Sequence, residues 1–529
     1  MSGETDHHYL RMLFGVVCAL IAYEWLLRSW LVGKVREALH QRSHRYAEAH
    51  DIRVDPFKYG GRLLVKEELL NDPQVNEAMR EAARGGPPLK PGKPPRPPRP
   101  PEEVRRDVEA YIDEIVPAFS LTAYYQFGMA LAKAAILAVY RPVIDRASQE
   151  RLRALPKDAT AVYLINHRSN FDYVVVGWAL ARQVALSYAV GEWARVFPLD
   201  VLFKAFGGFF VRRGFPDPLY HNVLRRYLQL ITRRGVTQGI FPEGGLTRDG
   251  ALRTPKVGLL DALIQLTAEP GYERELIFVP VGINYDRVLE DEQLLAEKRG
   301  RESPPTLAEK LLALSKMLLF LPFRIGFFFF RLATGGLPRG GYVAVAFGHP
   351  LKFSDWAKRN HVELATLSAE ARRNAAKQVA ADLMIEISRV IPATPVPLVA
   401  RAMLQLESPT REKLNDRVRE LRTRLDALGV PVALGAEFKG TQREQAELNA
   451  ADHRNRDMSR LTGDMLESEE AESIARLGLE QLTRRGLVLR EGTQLSIAAG
   501  ESTREVLAYY SNSLSVLDAA KPALPAGAS

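Results

Sequence analysis

The stretch Ala161-Val162-Tyr163-Leu164-Ile165-Asn166-His167-Arg168-Ser169-Asn170-Phe171-Asp172 decides the fold. Its first five residues make a short, continuous apolar run, the signature of a buried strand. Polar residues crowd in directly afterwards, where an open α/β sheet places its ligand site, beyond the carboxyl ends of its strands. Three further apolar runs, Gln238 to Phe241, Ile277 to Ile283 and Tyr342 to Phe347, alternate with helical segments. Together they predict an α/β body.

A histidine and a carboxylate five positions apart across a strand-to-helix turn can meet. Asp172 would then fix one imidazole nitrogen of His167 while the other accepts a substrate proton, the base-and-orienter pairing of acyl-transfer sites. The competing reading makes His167 an ordinary loop histidine and Asp172 a cap for the next helix. The pair has company downstream: Gly207-Gly208-Phe209-Phe210-Val211-Arg212-Arg213, then Phe241-Pro242-Glu243-Gly244-Gly245, then Val279-Pro280-Val281-Gly282-Ile283-Asn284-Tyr285.

These four blocks, in this order, resemble the glycerolipid acyltransferase superfamily, over about Thr160 to Leu351. His167-Arg168-Ser169 with Asp172-Tyr173, the glycine doublet before Arg212-Arg213, and Glu243-Gly244-Gly245 look like its glycerol-3-phosphate acyltransferase branch more than its lysophosphatidate branch. Ile391-Pro392-Ala393-Thr394-Pro395 and Leu507-Ala508-Tyr509-Tyr510-Ser511-Asn512-Ser513 look, more loosely, like that branch's C-terminal region. The resemblance implies a mixed sheet flanked by helices. It also implies acyl transfer from acyl-CoA or acyl carrier protein to the sn-1 hydroxyl of glycerol 3-phosphate, with no cofactor beyond the thioester co-substrate.

In that reading His167 is the general base and Asp172 its orienter, with Arg168, Ser169, Gly208, Arg212, Arg213, Glu243, Gly244, Gly245 and Arg248 binding substrate. Guanidinium forks suit phosphate oxygens, and glycines let backbone approach a ligand. Glu243, on a tight turn, would accept hydrogen bonds from the acceptor's hydroxyls. Arg212 and Arg213 could instead be a solvated basic strand end, and Glu243 a turn-stabilising acid. The family pattern has an arginine just after the glycines where this chain has Leu246, and Lys256 could compensate. The Pro280 to Tyr285 block would shape the site's wall, and oxyanion donors would be backbone amides of the motif loops. Neighbouring readings are 1-acylglycerol 3-phosphate or dihydroxyacetone phosphate as acceptor, or a catalytically silent membrane scaffold.

Outward from this core, the chain of 529 residues has room for a catalytic domain with attachments at either end. We divide it into a membrane anchor with basic flank over 1–50, a helical segment and proline-rich linker over 51–119, a catalytic domain over 120–355 and a mainly helical region over 356–529. Met12 to Val32 has the length of a bilayer span, although Glu24 and Arg28 interrupt it. The alternative is an amphipathic helix packed on the body. The basic residues that follow, Lys34, Arg36, Arg42 and Arg45, place the rest of the chain on the cytoplasmic face of an inner membrane. Gly85 to Pro101 reads as an extended polyproline linker carrying Lys90, Lys93, Arg96 and Arg99 toward an anionic surface. Ser120 to Pro142 reads as an apolar helix, either at the membrane interface or in the core, and Leu311 to Leu332 as a membrane-interface element. Leu364 to Arg389 and Arg411 to Leu428 read as helices.

The formal charge of +9 favours anionic partners: a phospholipid surface or phosphorylated substrates. Basic residues have no aromatic stacking platform among them, which argues against nucleic acid. The single cysteine, Cys18, excludes a disulfide within the chain and a Cys-rich zinc site. No metal is implied, since His167 has no second histidine at ligand spacing, and no GxSxG elbow supports a serine esterase.

Overall fold

The computed structural model describes residues 61–519 except 89–91, 93, 120–122, 182, 192–194, 196–202, 213, 301–339, 365–366, 408 and 433–470. The stretches 12–32 and 311–332, expected at a membrane, therefore lie outside the described residues, as do Lys90, Lys93 and Arg213. Among the described residues no helix is long and apolar enough to cross a membrane.

One mixed sheet organises the molecule. Its strands are β1 (Arg141–Ile144), β2 (Thr160–Ile165), β3 (Ser187–Gly191), β4 (Gly208–Val211), β5 (Gln238–Ile240), β6 (Leu276–Tyr285), β7 (Tyr342–Phe347) and β8 (Leu351–Lys352). The order is β1-β7-β6-β2-β5-β3-β4, with β8 on β6. From β6 through β2, β5 and β3 to β4 every pairing is parallel, and β7 runs antiparallel to β6. Every residue of β2 and β6 is buried, which is why both read as unbroken apolar runs and not as alternations. Pro142, which has no N–H to donate, falls on the edge strand β1. The apolar stretch before it is therefore shorter than expected: a π-helical turn (Ala123–Gly128), then a helix (Met129–Val139), then β1.

Side chains alternate across β2 and so divide the core. Ala161, Tyr163 and Ile165 enter one apolar cluster, Val162 and Leu164 the other. The second cluster is closed by α1 (Gly61–Leu70), α2 (Pro73–Ala83), α3 (Pro101–Ile115), and further along by α5 (Pro218–Arg233) and α6 (Gly258–Leu266). Between them, α4 (Asp172–Leu180) lies on the first face. After β6 comes α7 (Asp291–Lys298), and beyond β8 the long α8 (Ala369–Val390) covers the second face. Ser368 caps α8 by accepting from the Ala371 amide, which sets its start a turn later than the apolar pattern indicates.

The proline-rich segment is folded back. Gly86 and Arg96 exchange both backbone hydrogen bonds, Arg96 Nε donates to the Pro87 carbonyl, and Arg99 pairs with Glu103 and Asp107. Two of the basic residues expected to face an anionic surface are thus held within the chain.

The C-terminal helices α9 (Pro395–Gln405), α10 (Arg411–Ala427), α11 (Ala471–Arg484) and α12 (Glu501–Ser511), with a hairpin of β9 (Val488–Glu491) and β10 (Gln494–Ile497), share the first apolar cluster with the sheet. Val399, Leu414, Leu482 and Leu507 are buried in the same core as Ile165. Burial of each such side chain contributes about 1.5–3 kcal/mol.

Candidate active site

The four parallel strands β2, β5, β3 and β4 end on one edge of the sheet, so His167, Glu243 and Arg212 all emerge there. β2 and β5 are neighbours, and Glu243 reaches His167. β4 lies three strand spacings from β2, about 14 Å, which separates Arg212 from the other two.

The loop after β2 is built to hold His167. Asn166 extends the strand with its side chain: its Nδ2 donates to the Ile283 carbonyl at 2.9 Å and its Oδ1 accepts from the Ile283 amide at 2.7 Å. His167 Nδ1 then meets Asp172 Oδ2 at 3.0 Å, the pairing expected from their spacing. The same oxygen accepts from the Arg168 amide at 2.7 Å and the Ser169 amide at 3.0 Å. Asp172 Oδ1 accepts the Tyr285 hydroxyl at 2.6 Å. Both side chains are buried, and the imidazole lies against Phe241 and Tyr173. With Nδ1 committed to a carboxylate, Nε2 is the nitrogen left for a substrate proton.

Each amide from His167 to Phe171 has an acceptor inside the protein. His167 N donates to Glu243 Oε1, Asn170 N to Glu290 Oε1, and Phe171 N to Ser169 Oγ. The loop that carries the base therefore supplies no oxyanion donor in this arrangement. It is a rigid mount.

Glu243 is occupied in the same way. Its carboxylate accepts from the His167 amide at 2.8 Å and the Arg253 amide at 3.0 Å. It is thus a buried strut between the β2 and β5 loops, where the sequence pointed to contacts with substrate hydroxyls. Burial pushes its carboxyl up to about 7, against the two amides. The next residue, Gly244, has φ +64, and a Cβ there would meet the Lys256 side chain at 2.5 Å. The stem of Lys256 is therefore laid against this turn.

Arg168 is buried on the other side of the loop. Its Nη1 donates to the Gly250 carbonyl at 2.9 Å, and its guanidinium lies 5.2 Å from the Tyr509 ring centroid. Its Nε and Nη2 have no partner among the described residues. Ser169 Oγ donates to Glu290 Oε2 at 2.8 Å. Gly208 is a packing glycine: a Cβ would stand 2.9 Å from the Phe203 carbonyl oxygen. Gly245 is buried on the Glu243 turn, and exposed Arg248 pairs with Glu297 at 3.3 Å. Arg212 pairs with Glu114 of α3 and lies among the rings of Tyr111, Phe215 and Tyr220.

Several residues that hold the site escaped the sequence reading. Tyr285 stood in a quoted block but was assigned to the wall, whereas its hydroxyl secures Asp172. Glu290 and Gly250 carry no motif. Tyr509, Tyr510 and Asn512 stood in the late block but were given no role: the Tyr510 hydroxyl donates to Asp291 Oδ2 at 2.6 Å and accepts from Arg485, and Asn512 reaches the Asp249 carbonyl at 2.8 Å.

Residues 147–284 match the family model described as Acyltransferase, and residues 328–467 match that of the glycerol-3-phosphate acyltransferase C-terminal region. The chain is 27% identical over 391 residues to a glycerol-3-phosphate acyltransferase of Haemophilus influenzae, covering 72% of this chain and 45% of that protein. A protein of the same name from Actinobacillus succinogenes is 27% identical over 398 residues, with the same coverage. The chain thus spans less than half the length of these relatives. A 1-acyl-sn-glycerophosphate acyltransferase of Thermotoga maritima, of known structure, overlaps 54% of this chain and 83% of its own at 16% identity. Its TM-score of 0.26 is too low to carry the fold or the site.

Proposed function

We propose that this chain, which carries an acyltransferase domain over residues 147–284 joined to a glycerol-3-phosphate acyltransferase C-terminal region, transfers a fatty acyl group from a thioester donor to the sn-1 hydroxyl of glycerol 3-phosphate, giving lysophosphatidate. The observation that carries this reading is the 3.0 Å contact of His167 Nδ1 with Asp172 on a loop whose every amide is tied down.

His167 Nε2 takes the proton from the acceptor hydroxyl as its oxygen attacks the thioester carbonyl. The C–O bond forms, the tetrahedral intermediate collapses with cleavage of the C–S bond, and the imidazolium returns the proton to the departing thiolate. Asp172 keeps the productive tautomer and balances the imidazolium charge. Arg168, buried with Nε and Nη2 unpartnered among the described residues, adds positive charge to the loop that carries the base, suited to the acceptor's phosphate. Arg212 is a second phosphate contact, reached along the sheet edge. The donor is acyl-CoA or acyl carrier protein, both anionic thioesters that suit a chain of charge +9. No cofactor is required for this transfer, and the protein would act at the cytoplasmic face of an inner membrane.

The test is acyl transfer by detergent-solubilised protein from palmitoyl-CoA, and separately from palmitoyl-acyl carrier protein, to labelled glycerol 3-phosphate. Labelled lysophosphatidate is expected from the wild type, with a fall of about 10²–10⁴-fold in His167→Ala. Equal turnover by the variant would remove His167 as base. Product from 1-acylglycerol 3-phosphate or dihydroxyacetone phosphate alone would keep the chemistry and change the acceptor.

A further inference from the structure

Glu114 occupies a position that a carboxylate would not choose on its own. It lies in the last turn of α3, at the negative end of the helix dipole, in a turn that contains no basic residue. Its acidic neighbour Asp113 is held by Arg62 and Lys66. Glu114 is likewise held from outside the helix, by two arginines. Arg212 Nε donates to Oε1 at 2.8 Å and its Nη2 to Oε2, and Arg195 Nη2 approaches the same Oε2 at 3.1 Å. The carboxylate is buried at 8% exposure, while Arg212 and Arg195 keep 22% and 39%.

Two guanidinium groups converge on one carboxylate, so cationic charge exceeds anionic charge two to one within the cluster. Phosphate monoester carries about −1.5 to −2 charge and three acceptor oxygens. It matches a pair of forks better than a single carboxylate does. The aromatic rings of Tyr111, Phe215 and Tyr220, at 5.4, 4.5 and 5.5 Å from the Arg212 guanidinium carbon, hold that guanidinium in place without consuming its donors. The cluster opens at the same sheet edge as His167.

Resting on the reading of Arg212 as a phosphate contact, we infer that Arg195 is the second arm of that subsite and that Glu114 is an internal carboxylate that fills it until a phosphate monoester displaces it. The phosphate monoester can come from the acceptor or from the ribose 3′-phosphate of acyl-CoA. Glu114 then sets the affinity of the site by competition, and the α3 end is released when substrate binds.

The experiment measures binding of inorganic phosphate to the full chain in detergent by calorimetry, for wild type, Glu114→Gln and Arg195→Met. Removing the competitor should tighten phosphate binding about ten-fold, and removing the exposed arm should weaken it by a similar factor. Unchanged or weaker binding in Glu114→Gln overturns the competition. Should that variant not fold, Arg195→Met decides, and phosphate affinity equal to wild type overturns the subsite. Kinetics of the folded variants assign the source: a lower KM for glycerol 3-phosphate in Glu114→Gln marks the acceptor, a lower KM for palmitoyl-CoA the donor. Phosphate binding that responds to both substitutions in a chain without acyl transfer would keep this subsite and remove the proposed function. Turnover without any such response would do the reverse.

Discussion

The Tyr285 hydroxyl donates to Asp172 Oδ1 at 2.6 Å, across 113 positions of sequence. The loop of residues 167–172 satisfies only the other oxygen of that carboxylate, so β6, and not the loop, fixes the rotation of Asp172 and through it the imidazole.

Tyr285→Phe should therefore lower kcat about ten-fold, the equivalent of ~1.4 kcal/mol of lost positioning, with little change in the KM of either substrate. A buried oxygen left without its donor also costs about 1–3 kcal/mol of stability. Steady-state kinetics beside thermal unfolding check both. Unaltered kcat would show that the loop alone positions the dyad.

Asp172→Asn replaces an oxygen that accepts from His167, Arg168 and Ser169 by a group that must present either a single acceptor oxygen or a donor to the same amides. We expect kcat to fall by at least about 10²-fold, together with a lower unfolding temperature. A variant that loses activity at unchanged stability would limit Asp172 to the chemistry and relieve it of holding the loop.

Gly250→Ala tests the seam between the site and the C-terminal helices. Gly250 has φ +83, and a Cβ there would stand 1.7 Å from the Tyr509 carbonyl oxygen. The added methyl must push α12 away from Arg168. Strain and lost packing should cost at least about 1–3 kcal/mol, and activity should fall with it. Wild-type stability in this variant would mean that α12 packs elsewhere.

Two buried carboxyls give stability a pH dependence of definite sign. Burial raises Glu243 from 4.5 to about 7 and Asp286 from 3.8 to about 6. The folded chain thus holds protons that the unfolded chain has released. Their contribution is complete below the unfolded values and is lost as pH rises to about 7, on the order of 3 kcal/mol for Glu243. Comparing Glu243→Gln with wild type at pH 5 and pH 7.5, the difference in unfolding free energy should move toward the variant at the higher pH. A difference independent of pH would place the Glu243 carboxyl in the ordinary range.

The core of this fold was legible because β2, β6 and β7 are buried on both faces and leave apolar runs that no helix period disguises. His167 and Asp172 were legible because they are five positions apart in one turn. Glu243 was found as a residue but its amide partners were not, since a carboxylate on a glycine turn gives no sign of whether its oxygens face a ligand or backbone amides. The hold on Arg212 was out of reach for another reason: Glu114 lies 98 positions earlier on an amphipathic helix, and neither residue has a pattern that names the other. β1, β3 and β4 are short, at five residues or fewer, and each contains a glycine or a proline, which weakens a strand signal.

The contact of Tyr509 with the Arg168 carbonyl spans 341 positions. Closing so long a loop costs little more than closing one half its length, but it sets an order of events. During synthesis the strands and the β2 loop can assemble while the chain is still being made, yet the mount of the catalytic histidine acquires its last supports only once Tyr509 and Asn512 have arrived. A chain interrupted before Tyr509 would thus leave Arg168 a buried cation without its aromatic cover, and turnover becomes a report on whether synthesis reached the last C-terminal helix.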